Sequence, residues 1–180
     1  MRNEVQEIYI NLDDSGKLTK KELLSVYGGI VFLSKKEKDK FITQYRKIIN
    51  EIKCSYCNEE KGKCTKKCKE IKNTNIKNSH KRRIMNYISK YYTIALIINN
   101  TKVYDHIISN KASKGRYIDY TIRRLIKSTI EELIKDKKID PYKNVRLIIN
   151  IDEQSTKSNV YYNLKDGLTE ELLHGISNFN

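Results

Sequence analysis

Four cysteines stand within fifteen residues of one another, in the pattern Cys-x2-Cys-x6-Cys-x3-Cys. They are Cys54, Cys57, Cys64 and Cys68. Thiolates at this spacing are typical of a tetrahedral zinc site, in which the first pair supplies two ligands from a single turn. Because the N-terminus shows no apolar secretion signal, the pattern favours zinc over disulfides. We therefore predict structural Zn²⁺ in an insert at residues 54–68; the alternatives are four reduced thiols without metal, or a redox pair.

Acidic residues stand at the C-terminal ends of predicted strands. Asp13 and Asp14 end the first strand, Asp152 and Glu153 end a late one, and Glu70 lies on a third, short segment. A single carboxylate at a turn is more often solvated or capping, so the prediction depends on the set. If the first strand lies in the middle of the sheet, these side chains converge. Because Mg²⁺ and Mn²⁺ prefer oxygen ligands and keep several waters, two or three carboxylates would form a divalent-metal site.

The chain is strongly basic: 36 Lys and Arg against 22 Asp and Glu give a net charge of +14. Its hydrophobic content of 38% is that of a folded domain rather than of a disordered polybasic tail. A basic surface around a metal site suits phosphodiesters, since the cations collect the backbone and the metal ions stabilise the reacting oxygens. We predict nucleic-acid contacts beside the cysteines and at a helix start, at Lys66, Lys67, Lys77, Lys81, Arg82 and Arg83. The alternative for both clusters is a solvated surface.

The elements that must position these residues are predicted from hydrophobic periodicity and turn residues. The predicted strands cover residues 7–13, 25–33, 70–72, 92–99 and 145–152. The predicted helices cover 35–53, 80–90, 117–136 and 159–176, with Ser34 and Ser79 as caps of the first two. This order predicts one mixed α/β domain over residues 1–180, with a five-stranded sheet flanked by helices. We expect parallel pairing in the later half, antiparallel pairing as an option for the first two strands, and burial of 92–99 on both faces.

The apolar runs of the sequence are short. The longest, at 94–98 and 147–149, are far below the roughly 18 residues of a membrane span. We therefore expect a cytoplasmic protein without a membrane partner.

The order of several short motifs resembles a protein family. Asp13 to Gly16 read Asp-Asp-Ser-Gly at the end of the first strand, and the next strand carries Gly28 and Gly29. These motifs resemble the opening of a bacterial and phage family catalogued as domain of unknown function 3800, whose hallmark is Asp-Glu-Ser-Gly followed by a Gly-Gly strand. Further on, Glu70-Ile-Lys resembles its Glu-Leu-Lys element, and Asp152-Glu-Gln resembles the end of its Asp-Glu strand.

The family resembles the ribonuclease-H-like fold. By that resemblance Asp13, Glu70 and Asp152 would be the metal-binding, catalytic carboxylates of a nuclease, with Asp14, Lys72 and Glu153 as neighbours in the site. Family members continue into a further strand and a helix with Gln-x-Ala-Asp, for which this sequence shows no counterpart. The resemblance therefore implies either a metal-dependent nuclease or a degenerate, nuclease-like nucleic-acid-binding protein.

Two readings without catalysis remain open from the sequence. One is a basic binding protein or inhibitor, encoded by a phage if the family resemblance extends to its source, that docks nucleic acid or a nucleoprotein complex. The other is a zinc-stapled module whose basic face docks an acidic protein. The salt dependence of nucleic-acid affinity separates the first from the second.

Overall fold

The structure is a computed structural model, and it describes residues 5–56, 75–151 and 164–176. The strands are β1 (Gln6–Ser15), β2 (Leu24–Phe32), β3 (Tyr92–Asn99) and β4 (Val145–Ile151). The helices are α1 (Lys35–Ser55), α2 (Asn78–Ile88), α3 (Asp105–Ser109), α4 (Lys111–Lys135) and α5 (Leu164–Ile176), and a 3₁₀ turn covers Asn100–Lys102. Within these ranges, no helix has the length and apolar character needed to cross a membrane.

The strands form one mixed sheet in the order β3-β2-β1-β4, which confirms the predicted α/β class, and β1 is an interior strand. β1 and β2 pair antiparallel, as do β2 and β3, whereas β1 and β4 pair parallel. The described residues contain four strands rather than the predicted five, and the predicted strand at 70–72 lies outside them.

The predicted parallel pairing of the later half holds for β4 but is wrong for β3. The chain leaves β2 through α1 and returns through α2, so β3 begins beside the end of β2, with Tyr92 opposite Val31. A helix pair that returns to its starting edge makes the next strand antiparallel, unlike the single crossover helix of a parallel unit.

The two faces of the sheet carry different layers because successive side chains of a strand point to opposite sides. Ile8, Ile10 and Leu12 of β1 are buried in a core cluster that also contains Ile126 and Leu133 of α4. On the other face lies an aromatic cluster of Tyr9, Phe32 and Phe41, with Tyr45, Tyr87 and Tyr91 packed against it. The central strand is therefore covered on both faces over its first half.

β3 is an edge strand with one buried face, so the prediction of burial on both faces is wrong. Ile94 and Ile98 are buried, but Ile97 between them is 64% exposed. A continuous apolar run does not say which of its faces another element covers, and here the helices cover only one.

Helix α1 begins where the sequence predicts, whereas α2 and α4 begin at other residues. α1 begins as predicted, with the Ser34 hydroxyl accepting the Glu37 N–H. α2 begins at Asn78 after Lys77, which makes no side-chain capping bond, so the prediction of Ser79 as its cap is wrong. α4 begins at Lys111 rather than at residue 117, because the Asn110 side chain accepts the Ser113 N–H at 3.0 Å.

A buried asparagine ties the β1–β2 connection to the end of β3. The Asn100 side chain, with no exposed surface, donates to the carbonyls of Lys17 and Glu22, each at 3.0 Å. Its oxygen lies 3.0 Å from the Ser25 hydroxyl, which donates to it. Because all three polar contacts of this side chain are satisfied inside the protein, the connection after β1 is fixed against β3.

We expect Asn100→Ala to lower the free energy of unfolding by about 3 kcal/mol, since it leaves buried polar groups without partners. Urea unfolding measures this loss. The matched control is Asn86→Ala on the exposed side of α2, which should change stability by less than about 0.5 kcal/mol. Equal, small losses for both variants would contradict a structural role for Asn100.

Candidate functional site

Asp13 and Asp14 lie at the C-terminal end of β1, and both side chains are exposed. Asp13 is opposite Gly28 of β2, and Asp14 is opposite Tyr27. The Asp13 carboxylate accepts the Asp14 backbone N–H at 2.9 Å, which holds the side chain close to its own backbone. Since successive residues of a strand face opposite sides, the two carboxylates belong to different faces of the sheet.

The end of β4 lies directly beside these residues. In the parallel register, Asn11 is opposite Asn150 and Leu12 is opposite Ile151, the last residue of β4. The Asn150 side-chain amide donates to the Asn11 side-chain oxygen at 2.7 Å. Asp152 and Glu153 follow Ile151 in the sequence and lie outside the described residues.

One face of β1 carries a row of polar side chains that ends at Asp13. Glu7, Tyr9, Asn11 and Asp13 alternate along the strand and therefore share a face. The Tyr9 hydroxyl donates to Glu7 at 2.7 Å, and this hydrogen bond lowers the pKa of the Glu7 carboxyl below its ordinary value. Arg146 of β4 also donates to Glu7, at 3.3 Å. The row follows the boundary between β1 and β4, and the aromatic cluster covers its beginning while Asp13 is exposed at its end.

The two neighbouring glycines of β2 have different surroundings. No described atom lies within 4 Å of the position that a Cβ on Gly28 would take. A Cβ on Gly29 would instead lie 2.6 Å from the Leu12 side chain and closer still to the Asn11 carbonyl oxygen. Gly29 is therefore required by close packing, whereas Gly28 leaves bare backbone beside Asp13. Ala95, opposite Gly28 on β3, is exposed and extends this low surface.

The first cysteine of the predicted zinc site lies in the last turn of α1. Cys54 is a half-buried free cysteine, whereas Cys57, Cys64 and Cys68 lie outside the described residues. A groove of about 970 Å³ runs along this side of α1, and Cys54 is among its lining residues. The thiol is therefore accessible to a ligand that reaches this part of α1.

Tyr56, two residues after Cys54, joins the end of α1 to the start of α2. The Tyr56 hydroxyl accepts the Lys77 backbone N–H at 2.7 Å and lies 3.2 Å from the His80 ring nitrogen. The rings of Tyr56 and His80 meet edge to face, with centroids 5.4 Å apart. These contacts join the end of α1 to the start of α2, and the sequence pattern did not predict them because Tyr56 and His80 are 24 residues apart.

All four predicted cations at the start of α2 are exposed or half-buried. Lys77, Arg82 and Arg83 are exposed and Lys81 is half-buried. Arg83 also pairs with Glu51 of α1. The first turn of α2 contains no acidic residue, so these charges oppose the helix dipole and are suited to an anion.

The structure therefore shows two separate groups of predicted site residues. Asp13 and Asp14 lie at the C-terminal end of the interior strand β1. Cys54 and the α2 cations lie where the end of α1 meets the start of α2. In the part of the chain that the structure describes, no group of three or more His, Cys, Asp or Glu residues could hold a metal ion. The remaining predicted residues lie outside that part: Lys66, Lys67, Glu70, Lys72, Asp152 and Glu153.

Comparison with known proteins adds no assignment. The chain matches no protein-family model, no curated protein and no solved structure. Function is therefore inferred from the residues of this chain and their geometry.

We expect opposite outcomes for alanine at the two glycines. Gly29→Ala should lower the free energy of unfolding by about 1–3 kcal/mol, because the new methyl group overlaps Leu12 and Asn11. Gly28→Ala is its matched control and should change stability by less than about 0.5 kcal/mol. Denaturant unfolding compares the two, and equal losses would contradict the difference in packing.

Proposed function

We propose that this chain is a metal-dependent nuclease, or a degenerate nuclease-like protein that binds nucleic acid, with a ribonuclease-H-like sheet. The observation that carries the proposal is the parallel register of β1 and β4. An antiparallel β1-β2-β3 unit, extended by a strand parallel to the interior strand β1, is also the kind of mixed sheet that the family resemblance implies.

The register supports a meeting of carboxylates at this edge. Asn11 and Asn150 are hydrogen-bonded across neighbouring strands, and each is two residues before an aspartate, Asp13 or Asp152. Two residues along a strand is one step on the same face. A continuation of the same register beyond Ile151 would bring Asp152 beside Asp13, at the ~4.8 Å of ordinary strand spacing.

The donor set suits Mg²⁺ or Mn²⁺. Asp13 is exposed, the neighbouring Gly28 leaves room above the sheet, and both properties are needed for a hydrated cation with a large substrate. Asp13, Asp152 and Glu70 would hold the metal ion, with Asp14, Lys72 and Glu153 nearby. When bound, such an ion stabilises the negative charge that develops on phosphodiester oxygens during cleavage.

The basic character of the chain supports a phosphodiester substrate. A net charge of +14 attracts an anionic backbone, while the acidic minority at the strand ends is available for the metal ion. The predicted cations Lys77, Lys81, Arg82 and Arg83 lie at or near the start of α2, whereas Asp13 lies at the end of β1. Together with Lys66 and Lys67, they would bind the backbone away from the reacting bond.

The cysteines have a separate, structural role in this proposal. Cys54, Cys57, Cys64 and Cys68 would hold Zn²⁺ in the insert predicted at residues 54–68. The hydrogen bond between Tyr56 and Lys77 joins the described residues on either side of this part of the chain. Four thiolate ligands leave no open coordination position for a substrate, so this metal would stabilise the insert rather than act in catalysis.

A binding protein without cleavage is the second candidate. The observation that favours it is the start of α2, where Lys77 is at the N-cap and no acidic residue balances the helix dipole. In this case the partner is nucleic acid or a nucleoprotein complex, and the carboxylates at the sheet edge contribute nothing to affinity.

For the nuclease proposal, we expect cleavage of RNA or DNA in the presence of Mn²⁺, tested with single-stranded and duplex forms of each. Asp13→Asn should reduce the rate at least about 100-fold, because it removes a charged metal ligand at little change in shape. The matched control is Asp136→Asn at the exposed end of α4, which should cleave like the wild type.

Cleavage that survives Asp13→Asn would contradict the placement of the metal site. Salt-sensitive binding without any cleavage, unchanged by Asp13→Asn, would select the second candidate. The absence of both binding and cleavage would reject the two candidates together.

We expect protein purified without chelators to contain one zinc ion per chain by elemental analysis. Cys54→Ser should reduce zinc retention against a competing chelator at least about tenfold, because it removes one of four thiolates. Ser55→Ala is the neighbouring control and should retain zinc. A zinc-free wild type, or full retention by Cys54→Ser, would reject the site.

A further inference from the structure

Two exposed aromatic rings stand just beyond the end of β3. Tyr104 follows the 3₁₀ turn and is 72% exposed, and His106 two residues later is exposed as well. Their rings are stacked, with centroids 5.7 Å apart and planes inclined by 19°. An aromatic ring that keeps this much surface in water, and already has a parallel neighbour on one side, offers its other face to a further flat ring.

The pair lies at the same edge of the sheet as Asp13. β1 and β3 are each antiparallel to β2, so they run in the same direction and end at the same edge. Two strand spacings, about 10 Å, separate β1 from β3. Ala95 is the β3 residue level with Asp13, and β3 continues to Asn99 before the turn that leads to Tyr104. A single strand several nucleotides long that crosses this edge would therefore reach both Asp13 and the aromatic pair.

The backbone on both sides of Tyr104 is fixed by the connection that follows β1. The Lys20 ammonium donates to the Val103 carbonyl at 2.7 Å and pairs with the Asp105 carboxylate at 3.0 Å. Val103 itself is buried, and Asn100 holds the start of the turn. The tyrosine is thus presented on a supported backbone rather than on a loose loop, which lowers the entropy lost on binding.

The charges around the pair suit an anionic polymer. Lys17 and Lys102 are exposed, on the β1–β2 connection bound by Asn100 and on the 3₁₀ turn. The carboxylate of Asp105 pairs with Lys20, and that of Glu22 accepts the Lys17 backbone N–H. Stacked aromatic rings next to lysines are the combination by which proteins bind single-stranded nucleic acid, because every base has a π-face and every linkage a negative charge.

We propose that Tyr104, stacked on His106, is a platform for an unpaired base of single-stranded RNA or DNA at the edge that carries Asp13. This inference rests on the proposed function and specifies its substrate as single-stranded. Bases of a duplex are already stacked on one another, so the platform favours single strands over duplexes of the same length.

The test is the anisotropy of fluorescein-labelled oligo(dT) and oligo(rU), and of a labelled duplex, without added Mn²⁺. Tyr104→Ala should weaken single-strand binding about tenfold, whereas Tyr104→Phe keeps the ring and should bind like the wild type. The slope of affinity against salt should stay unchanged, because no phosphate contact is lost. The matched control is Tyr142→Ala: Tyr142 is 94% exposed and precedes β4, at the opposite edge of the sheet.

Each outcome bears on a different claim. Wild-type binding that Tyr104→Ala and His106→Ala leave unchanged would overturn the platform and keep the proposed function. An equal loss with Tyr142→Ala would also overturn it, since the effect would not be local. If the wild type binds none of the oligonucleotides, the platform and the proposed function both fall.

Discussion

The parallel pairing of β1 with β4 is the contact on which the arrangement of the candidate site depends. It makes β1 an interior strand, and it brings the C-terminal ends of both strands to the same end of the sheet. The register is specified on both faces, by the Asn11–Asn150 hydrogen bond on one and by buried Ile8 and Ile10 on the other. A slip of one residue would move these apolar side chains out of the core, so the register is strongly held.

On one face of β1, the start of the strand is packed in the aromatic cluster and the end of the strand carries the exposed carboxylate of Asp13. Near the start of the strand, Tyr9 and Phe32 pack with the rings of α1 and α2. Near its end the same face carries the small residues Gly28 and Ala95, and Ile97 beside them is exposed. This edge is nevertheless rigid on the β3 side, since the buried side chain of Asn100 binds the β1–β2 connection. In the proposed nuclease, this open but supported surface would receive the substrate beside the carboxylate that holds the metal ion.

Local signals in the sequence were sufficient for much of the fold. The Asp-Ser-Gly turn marked the end of β1, and Ser34 marked the start of α1. The bounds of β3 agree with the prediction because its β-branched run ends at a polar pair. Contacts distant in sequence were not predictable in this way: periodicity does not reveal that α1 and α2 return β3 antiparallel, nor that Ile97 is left uncovered.

The same distinction applies to the candidate site. Asp13 and the two glycines could be selected from their types and spacing, but only the structure shows that Gly29 is needed for packing while Gly28 leaves space. The ion pair of Arg83 with Glu51 on another helix was likewise not visible in the basic run of the sequence. Tyr56 and Tyr104 carry no local pattern, because their roles depend on partners or on an edge that form only after folding.

We propose that Asp13 and Asp152 bind one divalent cation. Mn²⁺ titration calorimetry on the zinc-loaded protein tests this proposal most directly. The measurement compares the wild type, Asp13→Asn, Asp152→Asn and the double variant. Shared ligation predicts that each single variant loses at least about tenfold in Mn²⁺ affinity, and that the double variant loses much less than the product of the two. Wild-type affinity in Asp152→Asn, or losses that multiply in the double variant, would contradict a shared site.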